Sequence, residues 1–207
     1  MIFFEPGALR QTASRLAALR PGRLMIVFAS AGILAACASA PPATFDLDAA
    51  PTGFSAKQAR RAQIAIAAPS ALPPVDSNRI VVRVGEDQIA LLAGAAWSNQ
   101  LPALLQAKLI ASFQNASLIR AVVSPGMPAD YELRSQIRSF EYVAGRGAVF
   151  VEISAQIVGG AGRIVAGKIF SATAPAPAND GATVVAALNA ATADVMRQIV
   201  RWTAPQI

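Results

Sequence analysis

Apolar and polar residues along this chain repeat at two different periods. Between Tyr131 and Arg138, Tyr131, Leu133 and Ile137 alternate with Glu132, Arg134, Gln136 and Arg138. This period of two belongs to a strand with one buried face. The apolar phase then slips to Phe140 and Tyr142, which predicts a β-bulge or an exposed aromatic pair. Val149, Val151, Ile153, Ala155 and Ile157 give the next inward row, opposite Glu152, Ser154 and Gln156. Gly159-Gly160-Ala161-Gly162 supplies the turn, and Ile164 to Thr173 returns. Connections this short join antiparallel neighbours. Three further strands are predicted upstream, at Ala62–Ala67, Arg79–Val84 and Gln88–Ala93, the last two joined through Gly85-Glu86-Asp87. A short one follows at Ile119–Val123, and the prolines at 69, 73 and 74 mark a loop before the hairpin.

Two stretches repeat at helical spacing instead. Leu101, Leu105, Leu109 and Phe113, with Leu104 beside them, form one stripe, with Ser98 or Asn99 as cap and Pro102 in the first turn. Val185, Leu188, Thr192, Val195, Ile199 and Trp202 form the second, capped by Asn179 or Asp180 and ending on Arg197 and Arg201, where the helix dipole favours cations. Single-faced strands and single-striped helices pack as layers. The expected fold is α+β, a two-layer sandwich. A mainly antiparallel sheet of about six or seven strands would carry two amphipathic helices on one face. Glu132, Arg134, Arg138 and Glu152 would then lie on the uncovered face.

Composition narrows the chemistry. Hydrophobic residues are 54% and charged ones 14% of the 207, enough to fill a core, although much of the apolar content is alanine. There is no histidine, which removes the commonest general base and the Ser-His and Cys-His pairs. The one cysteine forms no internal disulfide and cannot by itself hold a metal cluster. No cofactor and no metal are expected. The net charge is +6, but Arg10, Arg15, Arg20 and Arg23 account for much of it. Basic residues are neither clustered nor interleaved with aromatics, so nucleic acid is not expected as a partner. A weak preference for anionic lipid headgroups is compatible with the remaining charge.

Those arginines precede the apolar run Leu24–Ile33, and small residues surround Cys37, the layout of a secretory signal. Ala/Ser-rich sequence and Pro41-Pro42 interrupt before the roughly 20 apolar residues that a membrane span needs. Leu34-Ala35-Ala36-Cys37 resembles the lipobox of bacterial lipoproteins. The resemblance implies cleavage before Cys37 and acylation, palmitate included, of the new N-terminus. One acyl chain anchors marginally and several anchor stably. Ala38, where an Asp would signal retention at the inner membrane, implies the outer one. The expected organisation is 1–36 signal peptide, 37–59 lipidated N-terminus and flexible tether, and 60–207 a single α+β domain. A coil of about 22 residues reaches ~25 Å. Phe45 and Phe54 could instead pin the tether to the domain or to a neighbouring subunit.

Several stretches of the domain resemble one family. They are Arg79-Ile-Val-Val-Arg, Ala96-Trp97-Ser98, Leu101-Pro102, Leu104 to Ile110, Ser112-Phe113, Ala129 to Leu133, Val151 to Ala155 and Val185 to Ala191. Together they resemble the ABC-type transport auxiliary lipoproteins, over about Phe45 to Trp202. The resemblance implies a non-enzymatic outer-membrane lipoprotein facing the periplasm. Its implied partners are an MCE (MlaD-like) protein and the ABC transporter subunits of a lipid transport system. A lipid ligand and a homo-oligomeric state stay open. The chain itself has no Gly-x-x-x-x-Gly-Lys-[Ser/Thr] loop for ATP.

Candidate site residues follow from these readings. Cys37 is the lipidation site. Trp97 is either a lid on the end of the core or an anchor for a partner or lipid tail. Arg134 and Arg138 belong either to a solvated sheet face or to a polar docking surface. Glu86-Asp87 are read as solvated turn residues, and Asp130 as a partner of nearby backbone N–H groups. Two other functions compete. One is a structural envelope lipoprotein that assists assembly of an outer-membrane component. The other is a histidine-free hydrolase, which would need a pocket joining Lys108 or Lys168 to a serine.

Overall fold

The computed structural model describes residues 41–50, 60–123 and 125–207. The signal segment, the lipobox with Cys37 and the second half of the expected tether, with Phe54, lie outside them. Among the described residues, eight strands and two long helices follow in the order β1 (Ala43–Phe45), β2 (Arg60–Ile66), β3 (Arg79–Arg83), β4 (Ile89–Trp97), α1 (Leu101–Ala116), β5 (Ile119–Val123), β6 (Tyr131–Val143), β7 (Ala148–Gly159), β8 (Ile164–Pro175) and α2 (Gly181–Thr203). Single 3₁₀ turns sit at Ala144–Arg146 and Ala204–Gln206. Both predicted helices and every predicted strand are present. Strand β1 is additional.

The sheet is built on β6. One edge of β6 pairs along its length with β7, antiparallel, and β7 pairs with β8, also antiparallel. The other edge of β6 is shared between two strands. Its first residues pair with β2 (Ile64 against Tyr131) and its last with β3 (Val81 against Glu141), both in parallel. Between them Ser70 bridges to Gln136, with Ser70 N–H donating to the Ser135 carbonyl at 2.9 Å. Strand β5 extends the β2 side, while β4 and then β1 extend the β3 side. Strands β6 to β8 form the long antiparallel ladders that their patterning predicts. Parallel pairing of the short strands could not be read from spacing, because it depends on which edge of β6 each one reaches.

The predicted bulge in β6 is real. Ile137 faces Ile153 and Ser139 faces Glu152, so Arg138 is the extra residue. One inserted residue reverses the alternation. Leu133 and Ile137 point inward before it, Phe140 and Tyr142 point inward after it, and Glu141 is turned to the opposite face. In β7 the row Val149, Val151, Ile153, Ala155 and Ile157 is fully buried.

The helices cover one face, as their stripes require. Leu101, Leu105, Leu109 and Phe113 of α1 and Val185, Leu188, Thr192, Val195 and Ile199 of α2 are buried. Asp180 caps α2, its carboxylate accepting from Thr183 N–H at 3.0 Å. No side chain caps α1, where Asn99 Oδ1 accepts instead from Gln100 N–H at 2.7 Å.

Pro41–Ala50 belongs to the domain, which corrects the tether expected from Cys37 to residue 59. Strand β1 pairs in parallel with β4, Phe45 beside Trp97. Beyond β1, Leu47 is fully buried and Ala50 nearly so. Polar groups from both helices hold the segment. Ser112 Oγ accepts from Ala50 N–H at 2.9 Å, and Asn189 Oδ1 accepts from Asp48 N–H at 3.0 Å. Lys108 Nζ donates to Asp46 at 2.9 Å. The segment is a strap laid over the helix layer. Phe45 also closes on Gly181, where a Cβ would meet Ala95 at 2.9 Å and the Phe45 ring at 3.4 Å, so only glycine fits at the start of α2.

Candidate docking face

The face of the sheet turned away from the helices carries the charged residues of the β6–β7 alternation. Arg134 pairs with Glu132 at 2.7 Å, and Arg138 with Glu152 across to the next strand at 2.7 Å. Each pair is mostly solvated, which limits its stabilisation to at most ~1 kcal/mol. Their effect is to hold two guanidinium groups at fixed places on a flat surface. Shallow clefts run alongside. One of about 200 Å³ is lined by Ser70, Arg134, Gln136, Ser154 and Gln156. Another of about 360 Å³ lies between Leu72, Pro73, Arg138 and Glu152. A third, of about 320 Å³, joins Arg134 to Tyr131, Met127 and the glycine turn.

A stronger ion pair sits where the bulge has turned Glu141 outward. Its carboxylate accepts from Arg83 Nε at 2.8 Å and Nη2 at 2.9 Å, the bidentate fork that gives both strength and direction. Arg83 Nη1 donates to the Glu86 carbonyl, which ties the pair to the β3–β4 turn. The Glu141 carboxylate beside it raises the Arg83 pKa further above its ordinary value, first through these hydrogen bonds and then through charge. Glu141 is 7% exposed. The pair forms the floor of a pocket of about 450 Å³ whose walls include Val84, Val143, Phe150 and Arg146. The sequence reading missed this pair. Its signal was the phase slip at Phe140 and Tyr142, which places Glu141 on the same face as the arginine ending β3.

The other candidates are placed plainly. Trp97 is 1% exposed, its ring edge-to-face with Phe140 at 5.9 Å. That contact adds ~0.5–1.5 kcal/mol beyond area burial. Trp97 is a core residue, so the reading of it as a surface anchor is withdrawn. Asp130 accepts from Gln63 N–H at 2.8 Å and stitches β2 to the start of β6, the backbone role expected of it. Glu86 and Asp87 are exposed in the turn. Lys108 is engaged by Asp46, whose carboxyl it holds below the usual range, chiefly through their hydrogen bond. Lys168 lies over the Phe170 ring at 5.4 Å. Ser112, one turn from Lys108, donates to the Lys108 carbonyl.

These features define an open-faced α+β sandwich, helices on one side and a polar, ion-paired sheet surface on the other. A crystal structure of protein XCC0632 from Xanthomonas campestris, of family DUF330, superposes with a TM-score of 0.72 at 28% identity, covering 81% of this chain and 96% of that one. A second solved structure, of an uncharacterized protein, matches at TM-score 0.66 and 15% identity over 79% of this chain and 99% of the other, and shows the fold alone. In sequence, the chain is 30% identical over 169 residues to the uncharacterized protein bll6063 of Bradyrhizobium diazoefficiens. The match covers 80% of this chain and 46% of that protein, so the chain spans about half of the relative's length.

The family model for the ABC-type transport auxiliary lipoprotein component matches residues 45–200, and the chain belongs to that family. The family match begins inside the strap, at Phe45, in agreement with the domain boundary that packing sets.

Proposed function

We propose that this chain is a lipid-anchored, non-enzymatic docking component of an MCE-associated lipid transport system, held at the outer membrane and facing the periplasm. Membership of the transport auxiliary lipoprotein family carries the reading. The lipobox at Leu34–Cys37 supports the anchor, and Ala38 after the cysteine supports the outer membrane. The helix-free sheet face supports the docking role. Its ion pairs pre-position Arg134 and Arg138, so a partner meets oriented guanidinium groups rather than mobile ones. Planar donors of this kind recognise carboxylates by bidentate hydrogen bonds.

The test is co-purification of the full chain, from mild-detergent extracts, with the MCE protein and ABC transporter subunits of its own cell. Recovery of these partners in constant ratio is the expected result. Two folded proteins that fail to associate would overturn the transport role and leave the assembly-assisting lipoprotein as the better account.

A further inference from the structure

We propose that the end of the sheet formed by the β3–β4 hairpin and the β6–β7 connection rests on the bilayer that holds the acyl chains. The inference rests on the reading of Cys37 as the lipidated N-terminus and adds which surface meets the membrane.

The docked strap changes the length of the tether. With β1 beginning at Ala43, five residues separate the cysteine from the sheet, six Cα–Cα steps in all. Fully extended, they span about 20 Å. Direction follows from pairing. Strand β1 is parallel to β4, so the chain enters β1 from the side on which β4 begins, which is the β3–β4 turn. Pro42 restricts Pro41 to extended backbone, and both prolines have φ fixed near −65°, so the entry does not double back there.

Ala43 stands beside Ala95, and Ala96 beside Arg79. From Arg79 the hairpin runs on to Glu86, which at strand rise is about 23 Å. The tether is thus no longer than the projection of the hairpin beyond its attachment point. With Cys37 acylated in the interface, a tether this short, entering from the hairpin side, brings the hairpin end to the bilayer.

The surface at this end suits that position. Val84, Ile89 and Leu91 are 45%, 46% and 43% exposed, bare enough to enter an interface; the opposite end also exposes Met127, Ile164 and Val165, at 60%, 62% and 49%, so it is the short tether that selects which end meets the bilayer. Ile89 stands opposite Arg83 and Leu91 opposite Val81, with Phe150 at register with Glu141 on the same face. Arg146 is exposed beside them. The charged groups facing this end are Arg83, Arg146, Glu86, Asp87 and Glu141, three acidic against two basic. Attraction to anionic headgroups therefore does not drive the contact. Apolar side chains do, raised to high effective concentration by the short tether.

The experiment uses the full chain, lipidated in a bacterial host and reconstituted into phosphatidylcholine–phosphatidylethanolamine vesicles. The vesicles carry a nitroxide quencher high on the acyl chain. A polarity-sensitive fluorophore is attached in separate samples through Val84→Cys, Ile89→Cys and, at the opposite end of the sheet, Met127→Cys, where Met127 is 60% exposed. Labels at 84 and 89 should be blue-shifted and quenched several-fold more than the label at 127, equally at low and high salt. Equal quenching at the two ends, with acylation of Cys37 verified by mass, overturns this inference while the anchor stands. Quenching that salt abolishes overturns the apolar contact. A chain whose mass shows no acyl group on Cys37 overturns both readings.

Discussion

Glu141 owes its position to Arg138, three residues earlier. The bulged arginine reverses the alternation of β6, which buries Phe140 and Tyr142 and sends the carboxylate between them to the other face. There it meets Arg83, 58 residues away in the chain. Removing one partner of such a pair costs more than removing both, because the survivor loses its hydrogen bonds while still largely buried. Glu141→Ala and Arg83→Met should each lower stability by ~1–3 kcal/mol, the arginine's partial exposure keeping the loss at the low end for a buried pair. The double variant Arg83→Met with Glu141→Leu should lose less than the two single losses combined, as read from urea midpoints at constant slope. Strict additivity would mean that the fork contributes nothing.

At the scale of elements, the strap is the feature that the chain conceals best. Pro41–Ala50 is rich in alanine and proline and carries isolated apolar residues, the composition of a tether. Its order comes from elsewhere, from Ser112 and Lys108 on α1, Asn189 on α2 and the edge of β4. Leu47, fully buried, is its anchor. Leu47→Ala should cost ~2–4 kcal/mol, measured by thermal or urea unfolding of the mature chain. A true tether residue would change nothing. The same measurement separates two boundaries for the domain, one near Pro41 and one near Arg60.

At the scale of the molecule, the two faces of the sheet divide the work. One is closed by the helices over a continuous core running from Leu47 to Val200. The other presents charge. Arg134→Glu combined with Arg138→Glu should lower stability by no more than ~1–2 kcal/mol, read from the unfolding midpoint, since both side chains are exposed and each broken pair contributes at most ~1 kcal/mol. It should reduce recovery of the transporter subunits, scored by their ratio to this chain in the pull-down. Unchanged recovery would remove this face from the interface.

The sequence by itself determined the local elements. Both helix stripes, the β7 row and the phase slip after Ile137 follow from periodicity, because burial of one face is a property of neighbours along the chain; that the slip is a bulge and not an exposed aromatic pair was decided by pairing with β7. It also supplied the likeness to transport auxiliary lipoproteins and the motif around Cys37. Tertiary structure alone decided which edge of β6 receives β2 and which part receives β3. It also decided that Trp97 is interior, that Glu141 finds Arg83, and that Leu47 makes a strap of a tether. Each of these depends on groups dozens of residues apart. A period of two or of 3.6 records which side of an element is buried and carries no information about what buries it.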